Sequence, residues 1–312
     1  MIASARLNWH VLVAACLLGG AALVAFVSAH VERSPLTHRL RFLTVTEGQQ
    51  QRLNAFERAS VMEANSSKLL PPTDARVRRV ERIVVRLLRA NRQLPSVHER
   101  QWKLFVVDDA HQQAYVLPGG DVFVHTGMLE AVGNDAQLAF VMAHEMAHAI
   151  LGHAWEKLSV ARFVDWLLVG TLALLGLVVP GDGLAIVSTY FYNLVVKLLT
   201  ELPYSRLVES EADAVGLELA ARACVDVREA PRFWLRMAER ETAGDADAQP
   251  PPWLSTHPAH YDRAHQLRSR VHDALLTRAQ SGCPPLTDCT ALLKQPSSFS
   301  PSLARGSAVD AI

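Results

Sequence analysis

Two histidines and one glutamate lie close together in the stretch His144-Glu145-Met146-Ala147-His148. On a helix, positions i and i+4 are offset by only about 40°, so both imidazoles project from one face, one turn apart. Histidines in that arrangement can bind one Zn²⁺ ion through their ring nitrogens. Glu145 lies on the flank, where its carboxylate can take a proton from water without binding the metal. The stretch predicts a catalytic zinc site, although two solvated histidines would give the same local pattern.

The third ligand must come from elsewhere, because a catalytic zinc ion takes three protein ligands and keeps a fourth position open. One class of zinc peptidases places a Gly and a His shortly after the motif. This chain has Leu151 and Ala154 at those positions, so that class is excluded. His153 is out of register for it, and we interpret His153 as a polar residue at the helix end. A more distant carboxylate is therefore expected to complete the site.

A second motif, Glu209-Ser210-Glu211-Ala212-Asp213, offers such a carboxylate. Glu209 and Asp213 are again spaced i and i+4 and share a helix face, whereas Glu211 points away by about 200°. One acid of the pair can bind the metal, and the other can accept a hydrogen bond from a ligating histidine. We predict that Glu209 is the third ligand and that Asp213 orients a histidine.

The patterns around these motifs predict an α+β fold. Short runs rich in Val, Phe and Tyr within residues 103–126, separated by Gly and Pro, are typical of β-strands. A helix that Asn134 or Asp135 can cap should carry the histidines and end near Gly152. A second helix, over residues 206–223, should carry the acids. The two helices must pack together for the ligands to meet.

An Arg-rich segment over residues 76–92 is predicted to form an amphipathic helix, because Val77, Val80, Val84 and Leu87 recur at helical spacing. A basic amphipathic helix can lie on anionic lipid. The absence of interleaved aromatic residues favours the alternative, a helix packed on the domain with its arginines in solvent.

Two apolar segments predict contact with a membrane. Residues 11–29 are uncharged and about as long as a helix that spans a bilayer. We interpret them as an anchor, with a cleaved signal peptide ending at the small residues 27–29 as the alternative. Residues 166–196 are broken at 180–183 into two short pieces, which favours a buried, re-entrant or interfacial hairpin. Because a hairpin returns to its starting side, both metal-binding motifs stay on the same side.

The composition limits the class of protein. Of the 312 residues, 50% are hydrophobic, which excludes a disordered chain and allows a sizeable core. The 31 Lys and Arg balance 31 Asp and Glu, so no net field favours nucleic acid as the main partner. Four Cys are too few for a miniprotein built on disulfides.

Several blocks of the sequence, in one order, resemble a known family. The two motifs resemble those of the integral-membrane gluzincins, which include the CAAX prenyl protease and the HtpX-like peptidases. Over about residues 104–286 the chain is similar, more specifically, to the Oma-type mitochondrial inner-membrane metalloendopeptidases. The similarity is carried by HEMAHAILGH, PYSRLVESEADAVGL, AARACVDVR, PWLSTHPAHYDR and CPPL. It implies a mainly helical gluzincin zinc core with a short β-sheet.

The resemblance also implies roles for individual residues. The three predicted ligands would bind one Zn²⁺ ion, and Glu145 would be the general base of peptide hydrolysis. His257 and Arg263, in the HP…R block, correspond to family positions that hold substrate or stabilise the oxyanion. From its neighbour Pro258 alone, His257 could equally be an ordinary loop residue.

Substrate binding and a disulfide are implied in the same way. The family's edge strand, to which an extended substrate can pair, corresponds to Gly119, Gly120, Val122 and Val124. Cys224 and Cys283 correspond to a pair that can form a disulfide in the intermembrane space. Two buried free thiols are the alternative.

By resemblance, the chain would be a membrane-associated zinc metalloendopeptidase that cleaves membrane or misfolded proteins at the mitochondrial inner membrane, facing the intermembrane space. Its partners would be protein or peptide substrates and membrane lipid, with homo-oligomers left open. The alternatives are a bacterial envelope peptidase-chaperone of the same superfamily, located in the periplasm, and a zinc-stabilised membrane chaperone that does not cleave. We divide the chain into an N-terminal anchor (1–32), a zinc metallopeptidase domain (33–289) and a disordered tail (290–312).

Overall fold

The computed structural model describes residues 9–176, 189–190, 203–243 and 261–286, and it confirms a mainly helical α+β fold. The helices are α1 (Trp9–His30), α2 (Glu47–Asn65), α3 (Ala75–Ala90), α4 (Pro95–His98), α5 (Thr126–Ala131), α6 (Asp135–Leu151), α7 (His153–Gly176), α8 (Pro203–Arg222), α9 (Glu229–Ala243) and α10 (Tyr261–Gln280). The strands are β1 (Val31–Arg33), β2 (Leu40–Phe42), β3 (Lys103–Val107), β4 (Ala114–Val116) and β5 (Asp121–His125).

Helix α6 carries the histidine motif and is defined by a cap at each end. The Asn134 side chain accepts a hydrogen bond from the Gln137 amide at 2.9 Å. Gly152 ends the helix in the left-handed conformation, with φ of 71°, where a residue with a Cβ would be strained. Glu229 of α9 accepts hydrogen bonds from the side chains of Asn134 and Gln137, at 2.9 and 2.8 Å, and so joins the start of α6 to α9. The helix predicted to end near Gly152 is confirmed.

Helix α8 carries the acidic motif and packs along α6. Gly216 of α8 lies against the backbone of Ala143 and His144 of α6, and Ala212 and Ala147 are fully buried. Small side chains at a helix crossing let the two backbones approach closely. The packing brings the two motifs together, as the site requires.

The three-stranded sheet has the order β3-β5-β4, with β5 parallel to β3 and antiparallel to β4. Every residue of β5 is buried. The expectation that Val122 and Val124 lie on an edge strand is therefore wrong. β5 is the central strand, and its backbone N–H and C=O groups already pair with β3 and β4.

Helix α3 lies on the core with one apolar face. The residues buried there are Val77, Val80, Ile83, Val84 and Leu87. Its arginines lie on the opposite side, as predicted for a helix packed on the domain. A two-stranded hairpin of β1 and β2 follows α1 directly.

Among the described residues, no helix combines the length and the apolar character needed to cross a membrane. The predicted hairpin at 166–196 is described up to Gly176 and at 189–190, and the tail at 290–312 lies outside the described residues. The N-terminal anchor, the hairpin, the tail and the domain boundaries stay predictions.

Candidate metal centre

Three predicted side chains meet where α6 and α8 pack. The Nε2 atoms of His144 and His148 are 3.1 Å apart. Glu209 places Oε2 at 3.4 Å from His144 Nε2 and Oε1 at 3.5 Å from His148 Nε2. A tetrahedral zinc ion with bonds of about 2.1 Å holds its donor atoms about 3.4 Å apart. With one donor atom from each residue, the three donors lie within 4.8 Å of one another, so they can converge on a zinc ion.

The residues of this centre differ in how exposed they are. The side chain of His144 is 1% exposed, and that of Glu209 is 5% exposed. The side chain of His148 is 14% exposed. Glu145, beside His144 in the motif, is buried at 3%. Of the three predicted ligands, His148 is thus the one most exposed to solvent.

Asp213 lies beside His144, where it was predicted to accept a hydrogen bond from the ring. Its Oδ1 lies 3.0 Å from His144 Nδ1, which leaves Nε2 to face the other donors. Burial by itself would lower the pKa of His144, but hydrogen bonds to Asp213 and Glu209 outweigh it and raise the pKa to about 9. Burial also opposes ionisation of Asp213, and the Arg263 guanidinium overcomes it and lowers the pKa of that carboxyl. The carboxylate of Asp213 is thus held in its ionised form beside His144.

Arg263 of α10 binds the carboxylates of both Asp213 and Glu209. Its Nε and Nη2 donate to the two oxygens of Asp213 at 2.8 and 2.7 Å. Nη1 lies 3.0 Å from Glu209 Oε2. The guanidinium also stacks 3.5 Å above the Trp234 ring, and the residue is 6% exposed. These contacts place Arg263 where it holds the carboxylates of Glu209 and Asp213. Its role towards substrate or the oxyanion, implied by the resemblance, stays a prediction.

The other predicted substrate residues have different outcomes. His257 lies outside the described residues, and its role stays a prediction. Gly119 and Gly120 form the turn before β5, and Gly120 has a φ of 102° that requires a glycine. The open edge of the sheet in the described part of the chain is β4, since Leu70 of the preceding segment donates to Val106 of β3.

Sequence reasoning missed a second polar cluster beside His148. His153 is 1% exposed and lies 2.8 Å, Nδ1 to Nδ1, from His148. Burial lowers the pKa of His153 despite the neighbouring carboxylate of Glu211. The left-handed turn at Gly152 folds His153 back onto the motif, and Glu211 points away from the metal donors but towards His153. In the sequence, only Gly152, a residue typical of a helix end, indicated that the chain changes direction before His153.

The cysteine pair expected from the resemblance is joined in the structure. Cys224 and Cys283 form a disulfide with Cα atoms 5.3 Å apart. The bridge connects the turn after α8 to the segment after α10. It therefore ties together the two helices that supply Glu209 and Arg263.

Two imidazoles from one helix turn, a carboxylate from a second helix and a glutamate beside the first histidine define a metallopeptidase centre of the gluzincin type. Residues 74–271 match peptidase family M48, and the chain belongs to this family. The resemblance seen in the sequence blocks is confirmed.

Relatives described as mitochondrial metalloendopeptidase OMA1 are similar over most of the chain. The protein from Bos taurus is 39% identical over 270 residues, which cover 86% of this chain and 51% of the relative. The protein from Danio rerio is 40% identical over 284 residues, covering 90% and 58%. The protein from Saccharomyces cerevisiae is 31% identical over 281 residues, covering 86% and 76%. The chain spans about half the length of the Bos taurus relative.

Proposed function

We propose that the chain is a zinc-dependent endopeptidase. The observation that carries this proposal is the convergence of His144, His148 and Glu209, whose ligand atoms, one from each residue, lie within 4.8 Å of one another. Membership of peptidase family M48 supports it. A bound zinc ion would polarise the scissile carbonyl and make water acidic enough to react at neutral pH.

Each residue near the centre then has a task. Glu145 accepts the proton of the attacking water and passes it to the leaving amine. Asp213 holds the ring of His144, and Arg263 holds the carboxylates of Asp213 and Glu209. His257 is proposed to stabilise the oxyanion, which rests on the resemblance of its HP…R block. A His257→Ala variant should lose kcat and keep its zinc.

An extended substrate is proposed to pair with β4, the open edge beside α6. The His125 amide of β5 donates to the Gln113 carbonyl, and the Leu117 amide donates to the Asp121 carbonyl of β5. Because antiparallel pairing alternates, the backbone groups of Tyr115 also face β5, and those of Ala114 and Val116 face outward. Outward N–H and C=O groups can bind a peptide as an added strand.

The substrate class and location are proposed from the relatives. The names of the OMA1 relatives point to mitochondria. The apolar segments at residues 11–29 and 166–196 support membrane association. By resemblance, we place the chain at the inner membrane, where it would cleave membrane or misfolded proteins facing the intermembrane space. This location is tested by fractionating mitochondria and by asking whether added protease degrades the chain while the inner membrane is intact.

The activity is tested with purified full-length protein in detergent, by zinc content and by casein or peptide cleavage. Glu145→Gln is expected to keep one zinc ion per chain and to lose cleavage, because it removes the base and leaves the ligands. Glu130→Gln, an exposed acid at the end of α5, is the matched control and should cleave like the wild type. Undiminished cleavage by Glu145→Gln would reject the proposed mechanism. A zinc-loaded wild type that cleaves nothing would favour the chaperone alternative.

A further inference from the structure

A chain of buried polar groups leads away from His148 on the side opposite the metal donors. His148 Nδ1 lies 2.8 Å from His153 Nδ1. His153 Nε2 in turn lies 3.2 Å from Glu211 Oε2. His153 is 1% exposed and Glu211 is 8% exposed, so neither group has bulk water as an alternative partner.

The order of donors and acceptors follows from the far end of this chain. A carboxylate only accepts hydrogen bonds, so His153 donates to Glu211 from Nε2. A neutral imidazole has one N–H, and His153 must therefore accept at Nδ1. His148 then donates from Nδ1 and keeps its lone pair on Nε2, the atom that faces His144 and Glu209. This is the tautomer that a metal ligand needs.

The hairpin of residues 31–42 holds the far end of the chain. The Thr37 hydroxyl donates to Glu211, and Arg39 Nε donates to Glu211 Oε2 at 2.5 Å. Arg39 also binds Glu156 of α7 with its two Nη atoms, at 2.8 and 2.6 Å. Arg39 therefore joins two buried acids on different helices. The hairpin lies outside the residues that match the family, which begin at residue 74.

We infer that His153, Glu211 and Arg39 form a positioning relay for His148, through which the hairpin becomes part of the metal centre. Any effect of the relay on peptide cleavage rests on the proposed function, whereas its effect on the affinity for zinc does not. Removing a member leaves a buried polar group without its partner and frees the His148 ring to rotate or change tautomer. The affinity for zinc should then fall although the three ligands are intact.

Two variants of His153 separate the relay from simple packing. His153→Phe keeps a ring of similar size and removes both nitrogens. His153→Gln keeps one acceptor and one donor, which can bridge His148 and Glu211. Zinc affinity is measured on the full-length protein by competition with a chelator, and the site geometry by the visible spectrum of bound Co²⁺. We expect His153→Phe to weaken zinc binding about 10- to 100-fold and to shift the Co²⁺ bands. His153→Gln should recover most of the affinity.

The hairpin offers a matched pair of arginines. Arg39→Gln should weaken zinc binding in the same direction as His153→Phe, because Glu211 loses the cation that holds it. Arg33→Gln changes the same charge on the same hairpin, and Arg33 is exposed and donates to the His38 carbonyl. Arg33→Gln should bind zinc as the wild type does.

The results distinguish this inference from the proposed function. Unchanged zinc affinity and Co²⁺ spectra in folded His153→Phe and Arg39→Gln proteins would overturn the relay, even if the protein cleaves peptides. A lower melting temperature with an unchanged Co²⁺ spectrum would show a merely structural role and would also overturn it. Weakened zinc binding in both variants supports the relay, even if the wild type cleaves no peptide.

Discussion

Gly216 of α8 lies directly against the backbone of His144. A Cβ atom placed on Gly216 would come 2.9 Å from both the amide nitrogen and the Cα of His144, closer than packed atoms tolerate. The backbones of α6 and α8 therefore touch at this point. Since Glu209 lies two turns earlier on α8, this contact fixes how near its carboxylate comes to the histidines.

Gly216→Ala should weaken zinc binding by separating the two helices. Alanine favours a helix over glycine by about 1 kcal/mol, so propensity alone predicts stabilisation. The clash involves backbone atoms that cannot rotate away. We expect it to cost up to about 3 kcal/mol, which leaves a net destabilisation of up to about 2 kcal/mol. Gly170→Ala is the control, because nothing lies within 4 Å of a Cβ at Gly170 of α7. Urea unfolding and zinc titration measure both effects. A Gly216→Ala protein as stable as the Gly170→Ala protein, with normal zinc affinity, would contradict the close contact.

Arg263→Gln should destabilise the fold as well as lower activity. Removing one partner of a buried ion pair costs about 3–5 kcal/mol, because the carboxylates of Asp213 and Glu209 remain buried. Arg268→Gln removes an exposed arginine from the same helix and should change stability by less than about 0.5 kcal/mol. Denaturant unfolding with and without zinc measures the difference. Loss of kcat with undiminished stability would instead support a role for Arg263 at the oxyanion.

Val116→Pro should reduce substrate binding while the sheet stays intact. The outward N–H of Val116 is not needed for pairing with β5, and proline is tolerated on an edge strand. Loss of one hydrogen bond to substrate should lower kcat/KM about 3- to 10-fold, mainly through KM. Val116→Ala controls for the side chain, and Tyr115→Pro, which removes an inward N–H, should unfold the sheet. Equal kcat/KM for Val116→Pro and Val116→Ala would argue against substrate pairing at β4.

Glu229 should give a measurable pH dependence to stability. Burial opposes its ionisation, but Asn134, Gln137 and Arg232 outweigh burial and lower its pKa below the ordinary value of 4.5. A carboxylate with a lowered pKa stabilises the fold above the unfolded-state value, and this contribution is lost as pH falls through the folded-state pKa. We expect Glu229→Gln to cost about 1 kcal/mol at neutral pH, since Arg232 is half-exposed.

The difference in unfolding free energy between wild type and Glu229→Gln should therefore shrink as pH drops below about 4.5. Urea unfolding between pH 3.5 and 7 measures it. Glu81→Gln, at an exposed position of α3, should show little difference at any pH. A Glu229→Gln difference that stays constant across this range would rule out the interpretation.

The metal donors could be predicted from sequence because their arrangement is local. His144 and His148 lie on one face by helix geometry alone, and the same spacing pairs Glu209 with Asp213. The role of His153 could not be predicted in this way, because it depends on a chain reversal at Gly152 and on a partner from α8. A residue that points away from the metal on its own helix can still support a ligand from another direction.

The strand order and the contacts of Arg263 could be seen only in the tertiary structure. Runs of Val and Phe located the strands, but nothing local shows that β5 inserts between β3 and β4. Likewise, the HP…R block gives no sign that α10 packs Arg263 over Trp234 and behind the acids. Both features arise from contacts between segments far apart in the chain.

The most direct test of the metal centre is the zinc content of Glu209→Gln beside that of Glu218→Gln, an exposed acid on the same helix. Each full-length protein is purified in detergent, checked for helix content, and assayed by inductively coupled plasma mass spectrometry. We predict about one zinc ion per chain for the wild type and for Glu218→Gln, and a large loss for folded Glu209→Gln. A folded Glu209→Gln protein that retains its full zinc content and affinity would contradict the metal site described here.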